Sequence, residues 1–144
     1  MNATAWIDGA SRGNPGEAGF GVLVETADGQ QEIIGFLGRT TNNVAEYAGL
    51  LAALTWARRE NVEQLTLYSD SQLLVRQFSG AYKVKAPHLV PIFSQVMRLR
   101  HGIPRVDALH VPRGENNHAD RLANRAIDER APIPDWLELE LPTS

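Results

Sequence analysis

An α/β fold on one mixed five-stranded sheet is predicted, three antiparallel strands followed by parallel additions, with helices flanking the sheet. Three observations carry this. Apolar residues alternate at period two near the N-terminus, with Phe20, Val22 and Val24 on one face. An Ala- and Leu-rich stretch from Asn43 to Glu60 then has the composition of a long helix. From there to about Arg130 strand-like and helix-like segments succeed one another, as crossover connections between parallel strands require.

Taken in order, Thr4 to Asp8 reads as a short strand running into a turn over Gly9–Gly16, a stretch dense in chain breakers. Gly19 to Glu25 and Gln31 to Arg39 read as strands joined at Asp28-Gly29, a strong hairpin signal. Asn43 is expected to cap the long helix, which puts Glu46 at the capping-box position. Val62 to Tyr68 is the next strand, and Asp70 stands where it would cap a short helix from Ser71 to Phe78. Ser79 to Pro91 is irregular and carries Tyr82, Lys83, Lys85 and His88. A helix with Leu89, Phe93, Val96 and Met97 at helical spacing follows to about His101, where Gly102-Ile103-Pro104 stops it. Arg105 to Val111 is the last strand, and Asn117 to Arg130 the last helix, with Ala119, Leu122, Ala123 and Ala126 on one face. Residues 1–131 form the expected catalytic domain and 132–144 an acidic and apolar tail. From Leu137 onward the tail alternates like a strand, a pattern suited to docking on the domain's own sheet edge or on a partner protein.

A chain of 144 residues is long enough for one domain with its own core. Without cysteine it has neither disulfides nor thiolate metal sites. The N-terminal stretch shows no basic segment and no long apolar run, so a monomer in the cytoplasm, away from membranes, is expected. The net charge of −3 hides an asymmetry. Asp128, Glu129, Asp135, Glu138 and Glu140 face Arg130 alone in the last 17 residues, which leaves the body near +1. Such a body is compatible with a polyanionic partner once its acids hold cations.

Four carboxylates fall at strand ends or helix starts: Asp8, Glu46, Asp70 and Asp120. Each alone has an ordinary use as a turn residue, a cap or a partner of a helix dipole. Brought together at one edge of an α/β sheet, they would repel one another unless cations sat among them. Hard oxygen donors of this kind select Mg²⁺ or Mn²⁺, and two such ions suit phosphoryl displacement by water.

Four blocks now carry a resemblance: Asp8-Gly9-Ala10-Ser11-Arg12-Gly13-Asn14-Pro15-Gly16, Arg39-Thr40-Thr41-Asn42-Asn43-Val44-Ala45-Glu46, Tyr68-Ser69-Asp70-Ser71-Gln72 and Asn117-His118-Ala119-Asp120-Arg121-Leu122-Ala123-Asn124. In order and spacing they resemble the signature blocks of type 1 ribonucleases H, over about residues 4–130. The resemblance implies a ribonuclease H-like fold. It implies cleavage within the RNA strand of an RNA–DNA hybrid by a two-metal mechanism, leaving 5′-phosphate and 3′-hydroxyl ends. Asp8, Glu46, Asp70 and Asp120 would hold two Mg²⁺ ions, with Mn²⁺ as a substitute. Arg39 and Thr41 would hold a DNA-strand phosphate. Ser11, Asn14, Asn42, Asn43 and Gln72 would line the groove that reads the 2′-hydroxyls, the groups that separate RNA from DNA.

The chain departs from many members in two places, which marks it as a short form. The long loop with an assisting His is replaced by Pro112-Arg113-Gly114-Glu115-Asn116-Asn117, so Arg113 is the better candidate for that role than His110 or His118, while Glu115 is an alternative that would help a metal leave. A basic helix after the third block is also missing, with only Tyr82, Lys83 and Lys85 in its place, as phosphate contacts or as a solvated loop. Sugar kinases and actin-like ATPases share the Asp-Gly turn but need a second nucleotide-binding half. A transposase core would need a recognition domain, and a non-catalytic hybrid-binding module would not require all four acids.

Overall fold

The computed structural model describes residues 1–141. Five strands, β1 (Asn2–Gly13), β2 (Gly16–Thr26), β3 (Gly29–Thr40), β4 (Gln64–Ser69) and β5 (Arg105–His110), form one sheet in the order β3-β2-β1-β4-β5. β1 pairs antiparallel with β2, and β2 with β3, while β4 and β5 add in parallel on the other side of β1. The helices are α1 (Asn42–Arg59), α2 (Gln72–Phe78), α3 (Val90–Arg100) and α4 (Asn117–Glu129). The expected element order and mixed sheet are both present.

α1 packs on β1 and β2 from one side and against α3 on the other, so it is buried almost all round. Its Ala45, Ala48, Ala52, Ala53 and Ala57 are fully buried, and small side chains let the helix lie close to its neighbours. α4 covers the opposite face over β1, β2 and β3. Its Ala119, Leu122, Ala123, Ala126 and Ile127 are buried at helical spacing, while its other face is charged. Gly21 lets α4 sit directly on β2: a Cβ there would lie 2.5 Å from Leu122 Cβ and 2.6 Å from the Ala123 nitrogen.

Several local expectations are corrected. The glycine-rich stretch after Asp8 is not a turn. β1 runs on to Gly13, its small residues pairing with β2 as far as Gly13 and Gly16, and only Asn14-Pro15 connects them. Thr41, not Asn43, caps α1, its Oγ1 accepting from the Val44 N–H at 3.2 Å, so Glu46 lies beyond the capping positions. Ser71, not Asp70, caps α2. Among its described residues the tail forms no strand, and where it begins it meets the edge strand β3: the Phe36 N–H donates to the Ala131 carbonyl at 2.8 Å and Ile133 lies over Gly35. Leu137 is buried in the core, Trp136 lies under the Arg59 guanidinium at 5.7 Å, and Gln95 of α3 grips the backbone. The Gln95 amide donates to the Glu138 carbonyl at 3.2 Å and accepts from the Glu140 N–H at 2.8 Å, as a neighbouring strand would. No helix among the described residues is long and apolar enough to cross a membrane.

Candidate active site

The parallel pairing of β1 with β4 ends at Ile7 and Ser69. Asp8 follows Ile7 within β1 and Asp70 is the first residue past the end of β4, so the register sets the two acids side by side. α1 delivers the third acid. A Cβ on Gly9 would stand 2.2 Å from the Ala45 carbonyl carbon and from the Glu46 nitrogen, so only glycine lets the start of α1 press onto β1 just past Asp8. Carboxylate oxygens of Asp8, Glu46 and Asp70 consequently fall within 4.8 Å of one another. Asp120, exposed in the first turn of α4, stands close enough to raise the Asp8 carboxyl but outside that group of three.

Crowding and burial have the electrostatic effect they must. Burial first, then the charge of Asp70, the nearby Asp120 carboxyl and the charge of Glu46 push the Asp8 carboxyl up to about 8. Glu46 rises to about 7 by burial and the Asp70 charge, against the Ser71 side chain and the field of the Arg113 guanidinium. Four oxygen-donor groups, three of them mutually in reach, with partial relief from one arginine, are a donor set that fits a hard divalent cation. The acids repel until positive charge is placed among them.

The residues expected to meet substrate lie on β1, the β1–β2 connection, the end of β3 and the starts of α1 and α2. The Ser11 hydroxyl lies on the carbonyls of Gly13 and Thr40. Asn14 Oδ1 accepts from the Asn42 N–H at 3.2 Å, which ties the β1–β2 connection to the start of α1. Thr41 uses one oxygen lone pair as helix cap and keeps its O–H free to donate. Arg39 and Asn42 are exposed, Asn43 half-buried, and Gln72 opens α2 two residues after Asp70 with its side chain exposed. Arg113 sits in the short 3-10 turn Arg113–Glu115, exposed, with its charge acting on Glu46. Glu115 in the same turn is exposed as well. The two histidines stand elsewhere: His110 is exposed at the end of β5, and His118 is bound to Glu32 of β3 at 2.7 Å. Tyr82 is held by Arg76, which donates to its hydroxyl at 2.7 Å, and Lys83 and Lys85 next to it are exposed.

Sequence reasoning missed three contributors. Gly9 reads as a turn residue and acts as a contact point. Ser71 both caps α2 and acts to lower the Glu46 carboxyl. Asn116 reads as loop but is 1% exposed, donating from Nδ2 to the Ile7 carbonyl at 2.9 Å.

Comparison with known proteins decides the family. A family described as reverse transcriptase-like matches residues 7–126. A Ribonuclease H of Albidiferax ferrireducens is 34% identical over 146 aligned positions, covering 89% of this chain and 96% of the relative. The chain belongs to the ribonuclease H family. Among relatives of this family, the bifunctional protein Rv2228c of Mycobacterium tuberculosis is 46% identical over 134 residues, covering 91% of this chain. The chain spans only 37% of that relative's length. The solved N-terminal RNase H domain of the same mycobacterial protein superposes with a TM-score of 0.86 at 43% identity, covering 90% of this chain and 96% of that one. LC11-RNase H1, solved in complex with an RNA/DNA hybrid, gives 0.83 at 36% identity, covering 88% and 97%. The mixed sheet with its helices is therefore the ribonuclease H fold.

Proposed function

We propose that this chain hydrolyses the RNA strand of RNA–DNA hybrids endonucleolytically, leaving 5′-phosphate and 3′-hydroxyl ends. The observation that carries the reading is the convergence of Asp8, Glu46 and Asp70 within 4.8 Å, with Asp120 near enough to act on Asp8. These four carboxylates would hold two Mg²⁺ ions, or Mn²⁺ in their place. When bound, the ions activate the attacking water and stabilise the leaving oxygen of the phosphodiester. Arg113 supplies fixed positive charge beside Glu46 and the scissile phosphate, and moves no proton near neutral pH. Arg39 and the free O–H of Thr41 hold a phosphate of the DNA strand. Ser11, Asn14, Asn42, Asn43 and Gln72 present hydroxyl and amide groups to the 2′-hydroxyls.

LC11-RNase H1, at 36% identity and bound to a hybrid, supports this substrate class. The catalytic domain is taken as residues 1–131. The tail, of which 142–144 lie outside the described residues, is taken as a strap on that domain rather than a partner-binding segment. The enzyme is taken to act as a cytoplasmic monomer, a reading to which the absence of cysteine is suited.

Cleavage of an end-labelled hybrid with Mg²⁺ and with chelator tests the proposal. Cleavage of the RNA strand with Mg²⁺ is expected, and none with chelator. Asp70→Asn should keep the fold and lose on the order of 1000-fold or more in rate, since a charge that meets the reacting centre is removed. A folded Asp70→Asn chain that cuts at near wild-type rate would overturn the metal assignment. Hybrids lacking 2′-hydroxyls around the scissile phosphate should resist. Equal cutting of a DNA duplex would favour a transposase-like nuclease instead.

A further inference from the structure

Two of the four acids come from opposite ends of the chain, and one side chain links the segments that carry them. Asn116 immediately precedes α4 and is 1% exposed. Its Nδ2 donates to the carbonyl of Ile7, the residue before Asp8, at 2.9 Å. Its own backbone carbonyl accepts from the Asp120 N–H at 3.1 Å. A path of two hydrogen bonds through one residue thus runs from the backbone beside Asp8 to the backbone of Asp120.

Other contacts hold the first turn of α4 as well: His118 is bound to Glu32 of β3 at 2.7 Å, the Asn117 amide donates to the Gly114 carbonyl at 2.9 Å, and Ala119 sits over Gly21 of β2. None of these side-chain bonds reaches β1 beside Asp8, as that of Asn116 does, and the helix has no side-chain cap. Asp120 itself is exposed, so its place beside Asp8 depends on where the turn beneath it is held. The Asn116 amide also carries a cost. Among the described residues its Oδ1 has no hydrogen-bond partner, although it is buried. A buried acceptor left unpaired subtracts from what the donor contributes, so stability alone is a poor reason for an asparagine here. Placement is the better one.

We infer that Asn116 is a positioning residue that sets the spacing of Asp120 from Asp8, and so the affinity of the acid cluster for its divalent cation. The inference rests on the metal reading proposed above. Groups that orient a ligand from behind typically change metal affinity or activity by 10- to 100-fold when removed.

The test measures Mn²⁺ binding by calorimetry on the whole chain, alongside thermal melts in chelator and steady-state cleavage. Asn116→Ala should weaken Mn²⁺ binding 10- to 100-fold and lower kcat by a similar factor. KM for hybrid should stay within about twofold, because the substrate-facing residues sit on other segments. Asn116→Ser keeps a donor of shorter reach and gentler packing, and should fall between wild type and Asn116→Ala. Leu137→Ala, in the core far from the acids, supplies a chain of lowered melting temperature with unchanged Mn²⁺ affinity. If Asn116→Ala and Asn116→Ser melt lower yet bind Mn²⁺ as wild type does, the inference is overturned and the residue is only structural. If the wild-type chain binds no Mn²⁺, or Asp8→Asn binds it equally well, the metal reading itself fails.

Discussion

At the scale of single residues, the assisting role beside the acids is proposed for Arg113 rather than for a histidine. Arg113 acts on Glu46, whereas His118 is engaged by Glu32 on β3. Arg113→Ala should lower kcat by about 10- to 1000-fold, the scale of a lost charge-stabilising group, with Arg113→Lys recovering part of it. His118→Ala should change kcat little; the reverse ranking in steady-state assays would reassign the role. A second expectation follows from the raised carboxyls. Asp8 holds its proton up to about pH 8 in the folded, metal-free chain and Glu46 to about 7, against ordinary values of 3.8 and 4.5. Between about pH 4 and 8 the folded state therefore binds more protons than the unfolded one, and this contribution to stability is lost as pH rises. Melts in chelator should show wild type losing ground to Asp8→Asn as pH goes from 5 to 8.5, and Mg²⁺ should restore it at the alkaline end. A wild-type-minus-variant difference that is flat with pH would contradict the burial argument. The acids were legible in the sequence because four carboxylates at element ends have few joint uses other than a cation. Asn116 and the Thr41 cap were not, since an amide or hydroxyl near a helix start looks the same whether it caps, turns or clamps.

At the scale of elements, the site depends on one helix touching one strand. The contact at Gly9 was hidden because its neighbours Gly13, Asn14, Pro15 and Gly16 suggest a turn, and nothing local distinguishes a glycine that bends the chain from one that admits a helix. Gly9→Ala should force α1 off β1, since its methyl would lie 2.2 Å from main-chain atoms that cannot rotate away. A loss of about 1–3 kcal/mol or more is expected by denaturant melts, with cleavage reduced further as Glu46 withdraws from Asp8. Gly114→Ala, beside Arg113 with nothing within 4 Å of its new carbon, should be silent in both measurements. Strands β2 to β5 and all four helices were legible to within a few residues because their apolar spacing matches the faces they bury. The tail was legible only as an alternation. Its partner is the Gln95 side chain on a helix, which no pattern within residues 132–141 announces.

At the scale of the whole molecule, the tail closes the α1–α3 side of the core. Ending the chain at Ala131 removes buried Leu137, the Trp136–Arg59 contact and both Gln95 bonds. A loss of about 2–4 kcal/mol is expected, the range for deleting a buried Leu side chain. At a few degrees per kcal/mol that is a fall in Tm of about 5–15 °C. Cleavage well below the new Tm should persist, because the acids lie on other segments; an inactive but folded truncation would show that the strap reaches the site. The positions 8, 46, 70 and 120 carry one more implication, for the chain as it is made. The β1–β2–β3 meander is local and can form early, while domains in general fold from the N-terminus during synthesis. Yet the last carboxylate, and the asparagine behind it, arrive only with α4. A nascent chain therefore carries three of the acids before the fourth, and the four-carboxylate cluster can assemble only once α4 has followed.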